Sequence, residues 1–324
     1  MLVLTNFDAY VVSVLFERSG RAVFALGDGT VRFETGETVE AHPDSGVLAA
    51  ALHPSGEGVV TGGDDGRAVW SRASGPTELG ALTGGWIDAV ATSAESGLIA
   101  FASGKRVEVL DARDALFRRE FVHERSVAGL AFDAKGRKLA CATYGGAAVW
   151  FARIADQKPQ TLRWAGSHVG LLWSPDGRFL VSAMQENALH GWRLADGKDM
   201  RMGGYPAKIK SMTFVAKGVL MATSGSHGAV VWPFRGNNGP MGEQATEVGY
   251  DESATVVQVA GDPARPFLAA GLNDGRVWTA DLRGVGVTPV KAEKGPPITA
   301  LALSPKGDRL AWGDEDGAAG VVAL

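Results

Sequence analysis

The histidines of this sequence are the first residues to consider for chemistry. Three of the six, His42, His123 and His168, stand in short polar segments between apolar runs, and carboxylates lie near two of them, at Asp44 and Glu124. Imidazole and carboxylate groups bind zinc when three or four converge on one point. The histidines are scattered along the chain, and although these three could converge with Asp44 and Glu124, we predict no metal and no other cofactor. A metal-binding accessory protein is the alternative function that we keep.

Motifs of the common catalytic sites are missing. The sequence contains no Gly-x-Ser-x-Gly, no Gly-x-x-x-x-Gly-Lys-Ser/Thr and no His-Glu-x-x-His. The single cysteine, Cys141, lies within a strand-like pattern, ACATYGG, which favours burial over reactivity. We predict that the protein is not an enzyme. A lone cysteine cannot form an internal disulfide, which favours a reducing, cytoplasmic compartment.

Composition excludes two partner classes and points to many tight turns. The net charge of −4 lacks the basic character of nucleic-acid binders. No apolar run approaches the roughly 18 residues of a membrane span. The chain has 44 glycines among 324 residues, against about 23 at a usage of about 7%. We expect a turn-rich globular protein that is a monomer on its own and, from its Gly/Ala/Arg-rich, lysine-poor composition, bacterial.

These glycines belong to an internal repeat. Residues 47–70, VLAAALHPSGEGVVTGGDDGRAVW, contain three apolar runs separated by a Ser-Gly turn and an Asp-Gly turn, a pattern typical of short antiparallel strands. The first turn recurs at residues 19–20, 55–56, 96–97, 135–136, 176–177, 217–218, 263–264 and 306–307. The second turn recurs at residues 28–29, 65–66, 103–104, 145–146, 186–187, 227–228, 274–275 and 316–317. A period of about 36 to 46 residues is that of a propeller blade.

The repeat resembles the WD-repeat family. The segments LLWSPDGRFLVSA (171–183), LALSPKGDRLAWGDEDG (301–317) and HPDSGVLAAALHPSG (42–56) are similar to its first two strands and the histidine-containing loop before them. The resemblance implies an all-β fold: one domain, residues 1–324, built as an eight-bladed β-propeller. The last unit is one strand short at Leu324, so we expect the N-terminal MLVLTNF to complete it and close the ring. Seven blades are the alternative, if residues 254–292 do not form a full blade.

The family also implies a buried polar network within a blade. Its tryptophan usually stands six residues after the turn aspartate and takes part in hydrogen bonds with a Ser or Thr, a His and that Asp. We propose one such structural network here, formed by His42, Thr61, Asp65 and Trp70, although Trp70 stands only five residues after Asp65.

In this family the loops that lead into the first strand of each unit share a face with the second turns. We call them the leading loops. Carboxylates outnumber bases in this set, which predicts an acidic face that attracts a partner with a basic segment. The carboxylates are Asp8, Asp28, Glu40, Asp44, Asp64, Asp65, Glu124, Glu186, Glu247, Asp251, Glu252, Asp274, Glu293, Asp314, Glu315 and Asp316, against Lys105, Arg125, Lys208, Lys291 and Lys294.

We therefore predict a protein-interaction scaffold that docks a peptide or protein on this face. Aromatic and charged side chains commonly carry most of the binding energy of an interface. The candidate partner-binding residues are Trp86, Arg125, His168, Lys208, Tyr250, Asp44, Glu124 and Asp251.

An enzymatic alternative also exists for propellers. The segments TGETV (35–39) and ADGKDM (195–200) weakly resemble blade turns of quinone-dependent eight-bladed dehydrogenases. The repeated tryptophan-docking pattern of those enzymes is missing, so this is the least favoured function.

Overall fold

The computed structural model describes residues 2–82, 84–284 and 286–324. Over these residues the fold is all-β, with short antiparallel strands and one 3-10 turn at Ala216–Gly218. No helix within the described ranges has the length and hydrophobicity needed to cross a bilayer.

The strands of the N-terminal half follow one another in hairpins. They are β1 (Leu2–Asn6), β2 (Val11–Phe16), β3 (Ala22–Leu26), β4 (Thr30–Phe33), β5 (Thr38–Glu40), β6 (Val47–Leu52), β7 (Val59–Gly63), β8 (Arg67–Arg72), β9 (Gly75–Ala81), β10 (Ala89–Ser93), β11 (Leu98–Ser103), β12 (Arg106–Asp111), β13 (Asp114–Val122), β14 (Val127–Phe132), β15 (Lys138–Phe151) and β16 (Gln160–Trp173).

The C-terminal half continues in the same manner. Its strands are β17 (Phe179–Met184), β18 (Leu189–Arg193), β19 (Asp199–Met202), β20 (Met212–Val215), β21 (Leu220–Thr223), β22 (Ala229–Pro233), β23 (Thr246–Val248), β24 (Val256–Gly261), β25 (Phe267–Leu272), β26 (Val277–Asp281), β27 (Thr288–Lys291), β28 (Ile298–Leu303), β29 (Arg309–Asp314) and β30 (Ala318–Ala323).

These strands form seven hydrogen-bonded sheets over the described ranges. Six have four strands: β2–β5, β6–β9, β10–β13, β20–β23, β24–β27, and β28–β30 with β1, whereas β14–β19 form one six-stranded sheet. The number is that of the seven-blade alternative and not the eight that we expected, because strands of the fourth and fifth sequence units join in one sheet. The suggestion that residues 254–292 are the incomplete unit is wrong, since they form the four-stranded sheet β24–β27.

The N-terminal strand completes the last sheet. Strand β1 pairs antiparallel with β30, with Leu2 opposite Val322 and Asn6 opposite Ala318. The backbone N–H of Phe7 extends the pairing by donating to the carbonyl of Gly317 at 2.9 Å. The sequence supplies the partner strand for the last unit from its opposite end.

Glycine is required where the second turn of a unit meets the next leading loop. Gly29 has φ +84°, and a Cβ there would overlap the carbonyl oxygens of His42 and Ser45. Gly317 has φ +95°, and its Cβ would come within 2.6 Å of the backbone nitrogen of Ala9. Positive φ and close backbone approach both exclude ordinary side chains. The large number of glycines therefore reflects the repeat.

The core is built on the second strands of the sequence units, which are largely apolar. Every residue of β3, β7 and β17 is buried, as expected for a short continuous apolar run between turns. The fold divides into two compact units, residues 15–173 and residues 1–14 with 174–324. That the whole chain is one domain stays a prediction.

Candidate functional site

His42 lies at the centre of a buried polar network in the unit of residues 15–173. It follows β5, is 1% exposed, and places Nδ1 3.0 Å from the carboxylate of Asp65 and Nε2 2.9 Å from Thr61 Oγ1. Burial lowers the pKa of His42, outweighing the opposite effect of Asp65. Because a carboxylate only accepts, the neutral ring donates from Nδ1 and accepts the Thr61 hydroxyl at Nε2.

The charge of Asp65 is stabilised within the same turn. Burial opposes ionisation, but hydrogen bonds from the backbone and side chain of Arg67 and from His42 hold the pKa of Asp65 below its usual value. The three residues His42, Thr61 and Asp65 therefore connect a leading loop, the second strand and the second turn of one sheet.

Trp70 does not join this network, which corrects our expectation. Its Nε1 donates to the carbonyl of Glu57 at 2.9 Å, and its ring stacks on His53 at 3.8 Å. The register explains the difference, since Thr61 lies opposite Val69 while Trp70 lies opposite Val60. A shift of one residue along a strand moves a side chain to the other face of the sheet.

Replacing Asp65 by Ala should lower the free energy of unfolding by about 2 kcal/mol, because it leaves the buried His42 Nδ1–H without its acceptor. Asp44→Asn is the matched control, since Asp44 is exposed and has φ +58°, which Asn tolerates. Urea unfolding at pH 7 measures both. Equal stabilities of the two variants would contradict a structural role for the network.

Two neighbouring cavities open along the leading loop of residues 122–127. One of about 370 Å³ lies against Trp86 and reaches Ser126 and Val127. The other, of about 600 Å³, lies against Val122–Arg125 and extends to the outer strand at residues 159–165. We call their combined lining the leading-loop surface; it comprises residues 82, 84–86, 88, 103, 104, 106, 122–127, 143–148, 150, 159, 161 and 163–165.

Exposed aromatic side chains mark this surface. Trp86 is 64% exposed and Tyr144 is 59% exposed. The guanidinium of Arg125 lies over the Tyr144 ring, 5.0 Å from its centroid, in the arrangement of a cation–π contact. Large aromatic side chains in solvent beside cavities are characteristic of binding surfaces.

His123 forms part of the floor of the larger cavity. It is 9% exposed and meets the indole of Trp150 edge-on at 5.6 Å between centroids. Burial lowers the pKa of His123 to about 4, so the ring is neutral at pH 7. Within the described residues, His123 Nε2 and Trp150 Nε1 are both buried and have no hydrogen-bond partner.

The other candidate residues from the sequence line neither of these two cavities. His168 is fully buried with Nε2 3.1 Å from the carbonyl of Trp164, so the expectation that it contacts a partner is wrong. In the unit of residues 1–14 and 174–324, Lys208 is exposed, and Tyr250 is 59% exposed beside His227. Asp251 is 2.7 Å from Arg276.

Several acidic residues of the leading loops and second turns form ion pairs and hydrogen bonds with nearby side chains. Asp251 and Asp274 both contact the guanidinium of Arg276, and hydrogen bonds from Ser253 together with Arg276 hold the pKa of Asp251 well below its usual range. Such pairing neutralises part of the negative charge that the sequence suggests. Asp44 and Glu124 are exposed and have no ion pair among the described residues.

The histidines do not assemble a metal site. Over residues 2–82, 84–284 and 286–324, no three His, Cys, Asp or Glu side chains are placed so that they could hold a metal ion together. His42 is bound to Thr61 and Asp65, whereas His123 lies against Trp150. The convergence that the metal-binding alternative requires is therefore not found. Cys141 is buried, and burial raises the pKa of its thiol.

Sequence reasoning found Glu124 and Arg125 but missed the residues that complete the larger cavity. These are Tyr144, Gly145 and Arg163, which line it together with Glu124 and Arg125. The sequence feature that could have indicated the cavity is the glycine pair 145–146. At the corresponding position, the second turn of residues 63–67 carries Asp65.

Comparisons with known proteins support the fold. The model of the WD domain, G-beta repeat, matches residues 34–70. A crystal structure of the computationally designed Ika8 protein is similar with a TM-score of 0.78 and 18% identity, covering 98% of both chains. A chain of the Mitotic Checkpoint Complex is similar with a TM-score of 0.67 and 15% identity, covering 99% of this chain and 93% of that one. No curated protein matches by sequence.

Proposed function

We propose that this member of the WD-repeat β-propeller family is a non-enzymatic scaffold that docks a protein or peptide on its leading-loop surface. One observation carries the proposal: two adjacent cavities share the loop 122–127 and are flanked by the exposed rings of Trp86 and Tyr144. Exposed aromatic anchors beside concavities suit interface recognition. Fold alone does not establish function, so the argument rests on this surface.

The partner that we propose has a basic segment. Asp44 and Glu124 remain exposed in leading loops of the unit of residues 15–173, and exposed carboxylates attract cationic side chains and increase association rates. A cytoplasmic location, a monomeric state and a bacterial source stay predictions from the sequence.

We also propose that the six-stranded sheet comprises two blades, which makes eight in the chain. Strand β15 has 14 residues and turns back on itself, since the N–H of Ala152 donates to the carbonyl of Arg137 at 2.9 Å. The reversal lies at Gly145 and Gly146, with φ of +92° and +136°. Strand β15 thus supplies two of the four strands expected of the fourth unit.

Affinity purification from the native cell tests the scaffold function. The tagged protein should retain one partner in stoichiometric amount, and the Trp86→Ala and Tyr144→Ala variants should each weaken that complex by at least about tenfold. Both residues are largely exposed, so the melting temperature should stay within about 2 °C of the parent. Leu116→Ala, which changes a side chain 94% exposed on β13, is the matched control.

The outcome that contradicts the scaffold is equally concrete. Recovery of no stoichiometric partner, together with turnover of a small molecule by the purified protein, would favour an enzyme. Equal loss of the complex in the Leu116→Ala variant would remove the leading-loop surface as the docking site.

A further inference from the structure

Two leading loops of the unit 15–173 carry a buried histidine, and they differ in what lies beside it. His42 follows β5 and has the carboxylate of Asp65 at 3.0 Å. His123 follows β13 in the same way, but the second turn of its sheet consists of Tyr144, Gly145 and Gly146 and contains no carboxylate. A buried histidine is therefore present in both loops, once with a carboxylate beside it and once without.

Open space replaces the missing carboxylate. A Cβ built on Gly145 would meet no atom within 4 Å, and Gly145 and His123 both line the cavity of about 600 Å³. This volume lies within the range of sites that bind small ligands or peptide side chains. The cavity is thus large enough for an acidic side chain with its flanking backbone.

Polar groups at this cavity lack partners. His123 Nε2 and Trp150 Nε1 are buried without a hydrogen bond among the described residues. Buried polar atoms are normally satisfied, and exceptions mark sites that bind water, ions or ligands. Both residues line the cavity. The unpaired Nε2 of His123 is the ring atom that binds Thr61 in His42, so Nδ1 is the atom left to a carboxylate in the place of Asp65.

The charge at the cavity favours an anion. Arg125 and Arg163 line it, against the single carboxylate of Glu124. Both arginines are exposed, and neither forms a salt bridge among the described residues, in contrast to Arg67, which lies 2.7 Å from Asp65. Guanidinium groups bind carboxylates with strong, often bidentate hydrogen bonds. The rings of Tyr144 and Trp164 supply apolar walls for an aliphatic stem.

From these observations we infer that the larger cavity receives a glutamate or aspartate side chain of the docked partner, whose carboxylate takes the place beside His123 that Asp65 takes beside His42. The inference rests on the proposed docking function of the leading-loop surface and adds a specificity element to it. A partner segment then carries an acidic residue for the cavity and basic residues for the exposed carboxylates such as Glu124.

The test uses the full chain and two blocked peptides, N-acetyl-Gly-Glu-Gly-amide and its Gln counterpart, followed by NMR of the histidine ring protons. His123→Gln assigns the His123 signals. The Glu peptide should shift the His123 resonances and raise the pKa of His123 by about one unit or more, since a carboxylate favours the protonated ring. The Gln peptide should cause neither change.

Charge reversal supplies the matched comparison. Arg125→Glu with Arg163→Glu should weaken binding of the Glu peptide at least about tenfold. Lys135→Glu, which changes an exposed lysine in a first turn outside the cavity, should leave it unchanged. Free glutarate is the third probe, because tighter binding of glutarate than of the peptide would indicate a small-molecule site and overturn the inference.

Equal binding of the Glu and Gln peptides, or an equal loss in the Lys135→Glu variant, would also overturn it. If either result is obtained while the purification still retains a stoichiometric partner, only the acidic-side-chain site is refuted. Failure of the proposed docking function would appear only in the separate purification experiment, as the absence of a stoichiometric partner. The two failures are therefore distinguishable.

Discussion

Deleting residues 2–7 should lower the melting temperature by about 5–10 °C and promote aggregation. The five residue pairs from Leu2–Val322 to Asn6–Ala318 would be lost together with the Phe7 to Gly317 hydrogen bond. At about 0.5–1.5 kcal/mol for each hydrogen bond, the loss amounts to roughly 3 kcal/mol. Differential scanning calorimetry and size-exclusion chromatography measure the two effects.

The loss estimated above is that of backbone hydrogen bonds. Leu4 is 64% exposed, so our expectation that this strand buries several apolar side chains is wrong for Leu4. The control Leu4→Ser should therefore leave the melting temperature within about 2 °C of the parent. Deletion also exposes the edge of β30, and unpaired edges pair with other chains. An unchanged melting temperature and monomeric elution would show that the pairing of β1 with β30 contributes little to stability.

Lowering the pH from 7 to 4 should destabilise the protein by several kcal/mol through two buried histidines. Burial lowers the pKa of His53 to about 4, with a smaller effect from Arg72, and burial alone lowers that of His123 to about 4. In the unfolded chain both titrate near about 6.5. Below that pH the unfolded state binds protons that the folded state does not, so the free energy of unfolding falls.

Each histidine contributes up to about 3 kcal/mol of this loss. Above about pH 8 both histidines are neutral in either state, so their contribution there is independent of pH. The neutral ring of His53 accepts the N–H of Ser55 at Nδ1, at 3.2 Å, and stacks on Trp70. Carboxylates whose pKa is lowered, such as Asp65, add a further loss at still lower pH.

Urea unfolding at pH 7, 5.5 and 4.5 measures the slope. His53→Gln should reduce the loss between pH 7 and 4.5, and the double variant with His123→Gln should reduce it further, leaving the contribution of His42, whose pKa burial also lowers. Both variants should be less stable than the parent at pH 7. A slope that is the same in the parent and in the double variant would contradict the assignment to these two histidines.

The turns, the strands and the closing strand were predictable from the sequence by itself. Ser-Gly and Asp-Gly pairs specify hairpins through contacts within four residues, so their positions do not depend on the rest of the fold. The last unit lacked a strand and MLVLTNF was left over, which is enough to predict that β1 pairs with β30. The grouping of His42, Thr61 and Asp65 followed from the family resemblance.

Only the tertiary structure decided what surrounds a side chain. Trp70 leaves the His42 network because the register places it opposite Val60, and a shift of one residue is enough to change the face. His168 is buried within β16 and Trp86 is exposed, although the sequence predicted equivalent positions for both. The larger cavity exists because residues far apart in the chain, Glu124, Gly145 and Arg163, meet around a space that no side chain fills. Turn chemistry is local, whereas the filling of space depends on neighbours that the linear sequence does not specify.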